Sequence, residues 1–289
     1  MIMGMCNDFD YGEPRKKVLI VGGSMIYHGA PILSALSVQV SSPTAAVYVA
    51  VPRLNLDVTR RLLINSVVLP LPDQQLTSKS VALLFHVLLP EVPDIAAIGV
   101  GMSLSDLRTL TDLVNRLIRD RSKLVLDASA LVPEILGTIS QTDTIVTPHA
   151  GEYKRLFQQP AGDLIDEKRS NVQRLAKDYG ITIVLKGRVN IISDGDRIAT
   201  IPRSTPAMTV GGTGDVLTGL IAGLLKPIES EFQSSSLAIY LDGLAARRAQ
   251  RRIGLHMIAT DLLEELPKVL RDYDKRKDVY QRALTEKIL

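Results

Sequence analysis

The chain alternates short apolar runs with longer stretches in which apolar residues return every three or four positions. Residues 17–23 (KVLIVGG) form a continuous apolar run closed by glycines, which predicts a strand buried on both faces. Residues 45–51 (AAVYVAV), 65–71 (NSVVLPL), 94–101 (DIAAIGVG), 123–129 (KLVLDAS) and 143–149 (DTIVTPH) have the same character. Residues 181–187 (ITIVLKG) and 189–196 (VNIISDGD) read as a strand pair with an Asp-Gly turn. Helical spacing occupies 30–40 (APILSALSVQV), 78–89 (SKSVALLFHVLL), 104–120 (LSDLRTLTDLVNRLIRD) and 171–180 (NVQRLAKDYG). In 104–120, Leu107, Leu110, Leu113, Val114 and Leu117 share one helical face. Gly180 supplies a C-terminal stop.

Apolar strands each followed by a helix predict a mainly parallel sheet covered on both faces, an α/β fold built as a three-layer α/β/α sandwich. Such a sheet binds ligands outside the carboxyl ends of its strands. The unusual residues of this chain stand at those ends: after Ile20, Ile98, Leu126, Val146 and Leu185. No repeat, low-complexity tract or linker interrupts the pattern. The reading is one domain over 1–289, with an N-terminal extension over 1–16 and a polar, helix-prone tail over 272–289.

Composition narrows the class. No run of about 18 apolar residues is present, so a membrane span is not expected. The first residues carry acidic side chains where a signal peptide would be apolar. Cys6 is the one cysteine and cannot form an intrachain disulfide, which suits a reducing cytoplasm. The net charge of +3 is small for the length, and tryptophan is absent, which weighs against nucleic-acid binding. Arg247, Arg248, Arg251 and Arg252 form the densest basic group and read as a solvated helical face. His28, His86 and His256 lack metal-ligand spacing, and Asp242 and Asp261 read as structural.

The segment 209–225 (TVGGTGDVLTGLIAGLL) carries the strongest chemical signal. Gly211, Gly212 and Gly214 precede a helix beginning near Asp215. Glycines let several backbone N–H groups converge on one anion, and a helix N-terminus adds partial positive charge. Such a pocket stabilises a phosphoryl group in transfer. No Gly-Lys-Ser/Thr follows, so this is not a Walker A loop. Asp215 reads either as an N-cap or as a base for a hydroxyl approaching that phosphate.

The segment resembles the GxGD anion hole of ribokinase-like kinases and, more closely, the corresponding motif of NAD(P)H-hydrate dehydratases, which share that fold. Further resemblances follow in the family's order: 21–31 (VGGSMIYHGAP), 98–103 (IGVGMS), 126–131 (LDASAL), 147–157 (TPHAGEYKRLF) and 184–196 (VLKGRVNIISDGD). The resemblance implies that Gly29, Ala30, Gly101, His149 and Asp215 meet the hydrated nicotinamide nucleotide NADHX or NADPHX. It implies that Lys186, Gly187, Arg188, Val189 and Asn190 run along the donor, ADP rather than ATP. Gly211, Gly212, Thr213 and Gly214 would hold the donor's phosphates, and Asp215 would be the catalytic base. Glu152 would help hold Mg2+ through water. A homo-oligomer is expected. Ser129 replaces an aspartate of the family pattern, Val100 a proline, Ser103 a glycine and Asn190 a threonine.

Plainer readings stand beside these. His149 also fits a helix cap, Glu152 a stabilising carboxylate in a first turn, and Lys186 a solvated strand end. Gly219 and Gly223 read as packing positions bringing their helix close to the sheet. A stable small-alcohol kinase for hydroxymethylpyrimidine, hydroxyethylthiazole or a sugar would share the glycine-rich segment. A non-catalytic nucleotide-binding regulator is the rival of another class, and an intact Asp215 argues against it.

Overall fold

A computed structural model describes residues 16–104, 106–225 and 230–275. Cys6, the N-terminal extension before residue 16 and the tail after residue 275 lie outside the described residues. The chain runs β1 (Lys17–Gly22), α1 (Gly29–Ser41), β2 (Ala46–Pro52), α2 (Leu56–Leu62), β3 (Val67–Leu71), α3 (Ser78–Leu83) and β4 (Ile95–Val100). It continues through α4 (Leu107–Arg119), β5 (Lys123–Leu126), α5 (Leu136–Ile139), β6 (Thr144–Val146), α6 (Ala150–Phe157) and α7 (Ile165–Tyr179). It closes with β7 (Thr182–Leu185), β8 (Val189–Ser193), β9 (Ile198–Pro202), α8 (Thr213–Leu224), α9 (Glu231–Ile253) and α10 (Ala259–Asp274).

The strands form one nine-stranded sheet in the order β3-β2-β1-β4-β5-β6-β7-β8-β9. Pairing is parallel from β3 to β7 and antiparallel through β8 and β9. Side-chain alternation sorts the strand residues between two cores. Val18 and Ile20 of β1 face the layer of α1, α8, α9 and α10, whereas Leu19 and Val21 face α3 to α7. The expected three-layer sandwich is therefore present. The order also makes β1, β4, β5, β6 and β7 consecutive neighbours. The turns singled out in the sequence thus line one edge of the sheet side by side.

Several boundaries differ from expectation. The helix expected over 171–180 begins at Ile165. Its first turn lacks apolar periodicity, but Glu167 accepts hydrogen bonds from the backbone N–H groups of Asp163 and Leu164 and starts it. The helix expected over 78–89 is α-helical only through Leu83. It then widens into a π-turn over Leu84–Leu88, with Leu89 N bonded to Leu84 O at 2.8 Å. The chain leaves extended geometry after Leu126 and after Val146, earlier than the runs 123–129 and 143–149 predict. The α8 helix starts at Thr213, so Asp215 lies inside its first turn rather than at its cap.

Two further readings are refined. Arg248 pairs with Glu265 at 3.1 Å, and Arg252 pairs with Asp261 at 3.1 Å and Glu264 at 2.8 Å. These two arginines tie α9 to α10, while Arg247 and Arg251 are exposed as expected. Asp261 is structural as expected, since its carboxylate accepts from Ile258 N at the start of α10. Gly219 and Gly223 pack α8 against α1, not against the sheet. A Cβ at Gly219 would lie 2.1 Å from Ser34 O, and one at Gly223 2.0 Å from Ser41 Oγ. At the same contact Ser34 Oγ donates to Asp215 O at 2.7 Å, so the helix pair fixes the backbone of Asp215. Among the described residues no helix is long and apolar enough to cross a membrane.

Close α1–α8 approach makes Gly219 sensitive to a single methyl group. Gly219→Ala is expected to destabilise the fold by about 1–3 kcal/mol despite alanine's better helix propensity. Gly137→Ala, where an added Cβ meets nothing within 4 Å, should leave the urea midpoint unchanged or slightly raised. Equal midpoints for the two variants would contradict the packing role.

Candidate active site

The carboxyl ends of β1 and β4 meet where the strand order reverses, the usual ligand position in an open parallel sheet. Gly101 turns the chain there with φ +63°, and a Cβ on it would lie 2.8 Å from Ala30 Cβ and from Tyr27 O. The Gly29–Ala30 start of α1 and the Gly101 turn, distant in sequence, therefore form one wall. Ser129 braces that turn by donating to Met102 O at 2.6 Å.

The next ends belong to β6 and β7. Pro148 O accepts from Lys186 N at 2.8 Å, which sets His149 beside Lys186. His149 caps α6: its Nδ1 accepts from Gly151 N at 3.0 Å and Glu152 N at 3.2 Å. Glu152 reciprocates by accepting from His149 N at 2.8 Å. The cap reading of His149 and the first-turn reading of Glu152 are both realised. Yet the His149 side chain remains 61% exposed. With Nδ1 accepting at the cap, its Nε2 lies 3.5 Å from Glu152 Oε1.

At the centre lies an ion pair that the sequence reading passed over. Lys186 Nζ donates to Asp127 Oδ1 at 2.8 Å, with Asp127 buried and Lys186 half-buried. Thr218 of α8 donates to Asp127 Oδ2 at 2.9 Å, and Thr147 adds a further hydrogen bond. Burial alone would push the Asp127 carboxyl up, but Lys186 and these hydrogen bonds outweigh it and hold the group below the ordinary carboxylate range. Burial alone would likewise push the Lys186 ammonium down, but Asp127 and Glu152 hold it above its ordinary value. Glu152 Oε2 stands 3.9 Å from Lys186 Nζ. The reading of Lys186 as a solvated strand end is thus overturned, because a carboxylate at the end of β5 draws it inward.

Asp215 feels the whole cluster. Burial raises its pKa first, and the negative charges of Asp127 and Glu152 add to this while Lys186 opposes it. The result is about 7. The residue sits in the first turn of α8, whose cap residue Gly212 has φ +91° and offers no side-chain cap. A Cβ at Gly214 would be 3.5 Å from Lys186 Nζ, so the glycine-rich turn lies directly over the ammonium. Backbone N–H groups, a helix N-terminus and a lysine converge where a phosphate would sit.

Beside this cluster opens a cleft lined by Lys186, Asn190, Arg203, Thr213, Gly214 and Asp242, among others. Within the expected donor segment, Lys186 and Asn190 face the cleft. Asn190 Oδ1 accepts from Gly187 N and shapes the β7–β8 turn. Arg188 is exposed and Val189 half-buried, and the cleft lining does not include either. Gly211 and Gly212 shape the loop behind Thr213 and Gly214. Among the described residues, no group of three or more His, Cys, Asp or Glu side chains forms a metal cage. The residues sequence reasoning missed are Asp127, Thr147 and Thr218 around Lys186, and Asp242 in the cleft. Asp127 had a signal: it is the charged residue closing the apolar run KLVL.

A sequence-family model described as NAD(P)H-hydrate dehydratase matches residues 18–268. The chain is 45% identical over 258 residues to the ADP-dependent (S)-NAD(P)H-hydrate dehydratase of Nitrosopumilus maritimus, covering 89% of each protein. Its structure resembles the ADP/ATP-dependent NAD(P)H-hydrate dehydratase of Bacillus subtilis, crystallised with ATP and Mg2+. That match has a TM-score of 0.77 at 25% identity and covers 91% of this chain and 92% of that one. A ribokinase-like superfamily protein from Enterococcus faecalis shares the fold, with a TM-score of 0.71 at 22% identity over 89% of this chain and 87% of that one.

The raised pKa of Asp215 has a cost in stability with a definite sign. Between the ordinary carboxylate value of 3.8 and about 7, the folded protein keeps a proton that the unfolded chain has released. Stability therefore falls as pH rises through that window. Asp215→Asn is expected to raise the melting temperature of the ligand-free protein at pH 8, by about 2–4 °C per kcal/mol recovered. The gain should shrink steadily below pH 7 and vanish near pH 4. A pH-independent difference in thermal melts would contradict the assignment.

Proposed function

The chain belongs to the NAD(P)H-hydrate dehydratase family, and from that premise we propose that this site dehydrates NADHX and NADPHX at the expense of a nucleotide's terminal phosphoryl group. The enzyme is a hydro-lyase of ribokinase-like fold, and ADP is the donor we assign. The observation that carries the mechanism is Asp215, a carboxyl poised near neutrality beside the Lys186 ammonium and the Gly214 turn.

The hydroxyl on carbon 6 of the hydrated ring approaches between Asp215 and the donor. Asp215 takes its proton, which a base of pKa about 7 does efficiently at neutral pH. The freed oxygen attacks the terminal phosphorus, and the bond to the donor's bridging oxygen breaks, releasing AMP when ADP is used. Backbone N–H groups at the start of α8 and the Lys186 ammonium receive the spreading negative charge. The ring-nitrogen lone pair then expels phosphate from carbon 6. Loss of a proton from carbon 5 restores the reduced nicotinamide. Gly29, Ala30, Gly101 and the exposed edge of His149 form the wall on which the hydrated ring rests.

Asp127 is engaged by Lys186, Thr147 and Thr218, whereas Glu152 is held at the start of α6 with its carboxylate 3.9 Å from the Lys186 ammonium. That set suits Mg2+ carried largely by nucleotide phosphates and water, with Glu152 holding it through a water. Bound there, the ion would neutralise phosphoryl charge. The small-alcohol kinase reading shares Asp215 and the anion hole but leaves His149 and the Ala30–Gly101 wall without a role.

Two outcomes test the proposal. Asp215→Asn should keep nucleotide affinity and lower turnover of NADHX by about 10²-fold or more, measured by the return of reduced-nicotinamide absorbance. Near-normal turnover by the folded variant would reduce Asp215 to a helix residue. On the donor, ADP should support faster initial rates than ATP at equal Mg2+, because Lys186 and Asn190 set how deeply the nucleotide lies relative to Gly214. A clear ATP preference would overturn the donor assignment and leave the dehydratase reading standing.

A further inference from the structure

Asp242 lies midway along α9, surrounded on its own helix by apolar and small residues, and is 3% exposed. Its Oδ1 has no hydrogen-bond partner among the described residues. A buried carboxyl without a partner costs free energy, and folded proteins retain few such groups. Burial pushes this one up to about 7, and the neighbouring charge of Arg203 only partly opposes that. The residue is not in a sealed core, because Asp242 lines the cleft that starts at Lys186 and Gly214. Gly243 beside it lets α9 close on the loop after β9, since a Cβ there would be 2.3 Å from Ser204 Oγ. The packing therefore holds the carboxyl at the cleft wall.

The cleft lining combines two chemistries. Lys186, Thr213 and Gly214 suit phosphate, whereas Met208, Leu217 and Ile239 suit a flat aromatic ring, with Asp242 as the acidic group among them. A nucleotide with its phosphates at Gly214 would have its base to place against the apolar residues. The unpartnered Oδ1 can accept from a donor brought by the ligand. An exocyclic amino group on a purine is such a donor, and a carboxyl that also carries a proton can answer an adjacent ring nitrogen.

We propose that Asp242 selects the donor's base by accepting a hydrogen bond from the exocyclic amino group of adenine. The inference rests on the assignment of this cleft to the nucleotide donor. It makes Asp242 a specificity residue, reversing its reading as purely structural.

Calorimetry can compare ADP with purine riboside 5′-diphosphate, which lacks only the amino group, and with 2′-deoxy-ADP. The unmodified protein should bind ADP at least about tenfold more tightly than the des-amino analogue, the scale of one buried hydrogen bond. Asp242→Leu should bring that ratio to within about twofold, while Asp242→Asn, which retains a carbonyl acceptor, should keep part of it. A ratio unchanged in either folded variant, or absent from the unmodified protein, would overturn the proposal. So would a loss of discrimination confined to 2′-deoxy-ADP, which would assign Asp242 to the ribose. Dehydration of NADHX by the unmodified protein with ADP, measured in parallel, tests the donor reading separately. That activity can persist while the Asp242 proposal fails, whereas absence of both ADP binding and ADP-driven turnover overturns both.

Discussion

The Lys186–Asp127 ion pair is the constraint on which the site depends. Two opposite charges are largely taken out of water at the ends of β5 and β7, and the arrangement is tolerable because they pair with each other. Thr147 at the end of β6 and Thr218 of α8 complete the shell of Asp127. One carboxylate thereby connects several neighbouring elements around the same point. Removing either partner would leave the other buried and uncompensated, which typically costs about 3–5 kcal/mol. The pair also fixes a positive charge beneath the glycine-rich turn, at the edge of the cleft.

From that pair follows the state of Asp215. The carboxyl is half-buried near two other carboxylates and one ammonium, and its proton affinity settles near neutrality. Its position is set from the other side by helix packing. Gly219 and Gly223 let α8 lie against α1, and Ser34 grips the backbone of Asp215. Sheet ends supply the charge, and the helix pair supplies the aim. The same features make the ligand-free protein less stable than one with a neutral group at this position.

The fold was largely legible because strand length and apolar continuity are local signals. The turns after Ile20, Ile98, Leu126, Val146 and Leu185 were recognised singly, and the strand order brought them together. Less legible were features that depend on partners far along the chain. Lys186 looks like a surface lysine until Asp127, 59 residues earlier, is placed beside it. The first turn of α7 is polar and starts on a carboxylate cap rather than an apolar stripe. The direction in which Gly219 and Gly223 pack could not be read from spacing, because both the sheet and α1 lie within reach of a small-residue face. His149 was readable in two ways, and the structure gives it the cap while leaving much of its side chain exposed.

The central claim is that a kinase apparatus acts as a dehydratase because the hydroxyl oxygen leaves as phosphate. Heavy-oxygen labelling tests it directly. NADHX carrying ¹⁸O in the carbon-6 hydroxyl is turned over with ADP and Mg2+, and the inorganic phosphate is analysed by mass spectrometry. The account predicts that each phosphate released carries the labelled oxygen and that AMP forms in equal amount. Label recovered in water, with unlabelled phosphate, would contradict it.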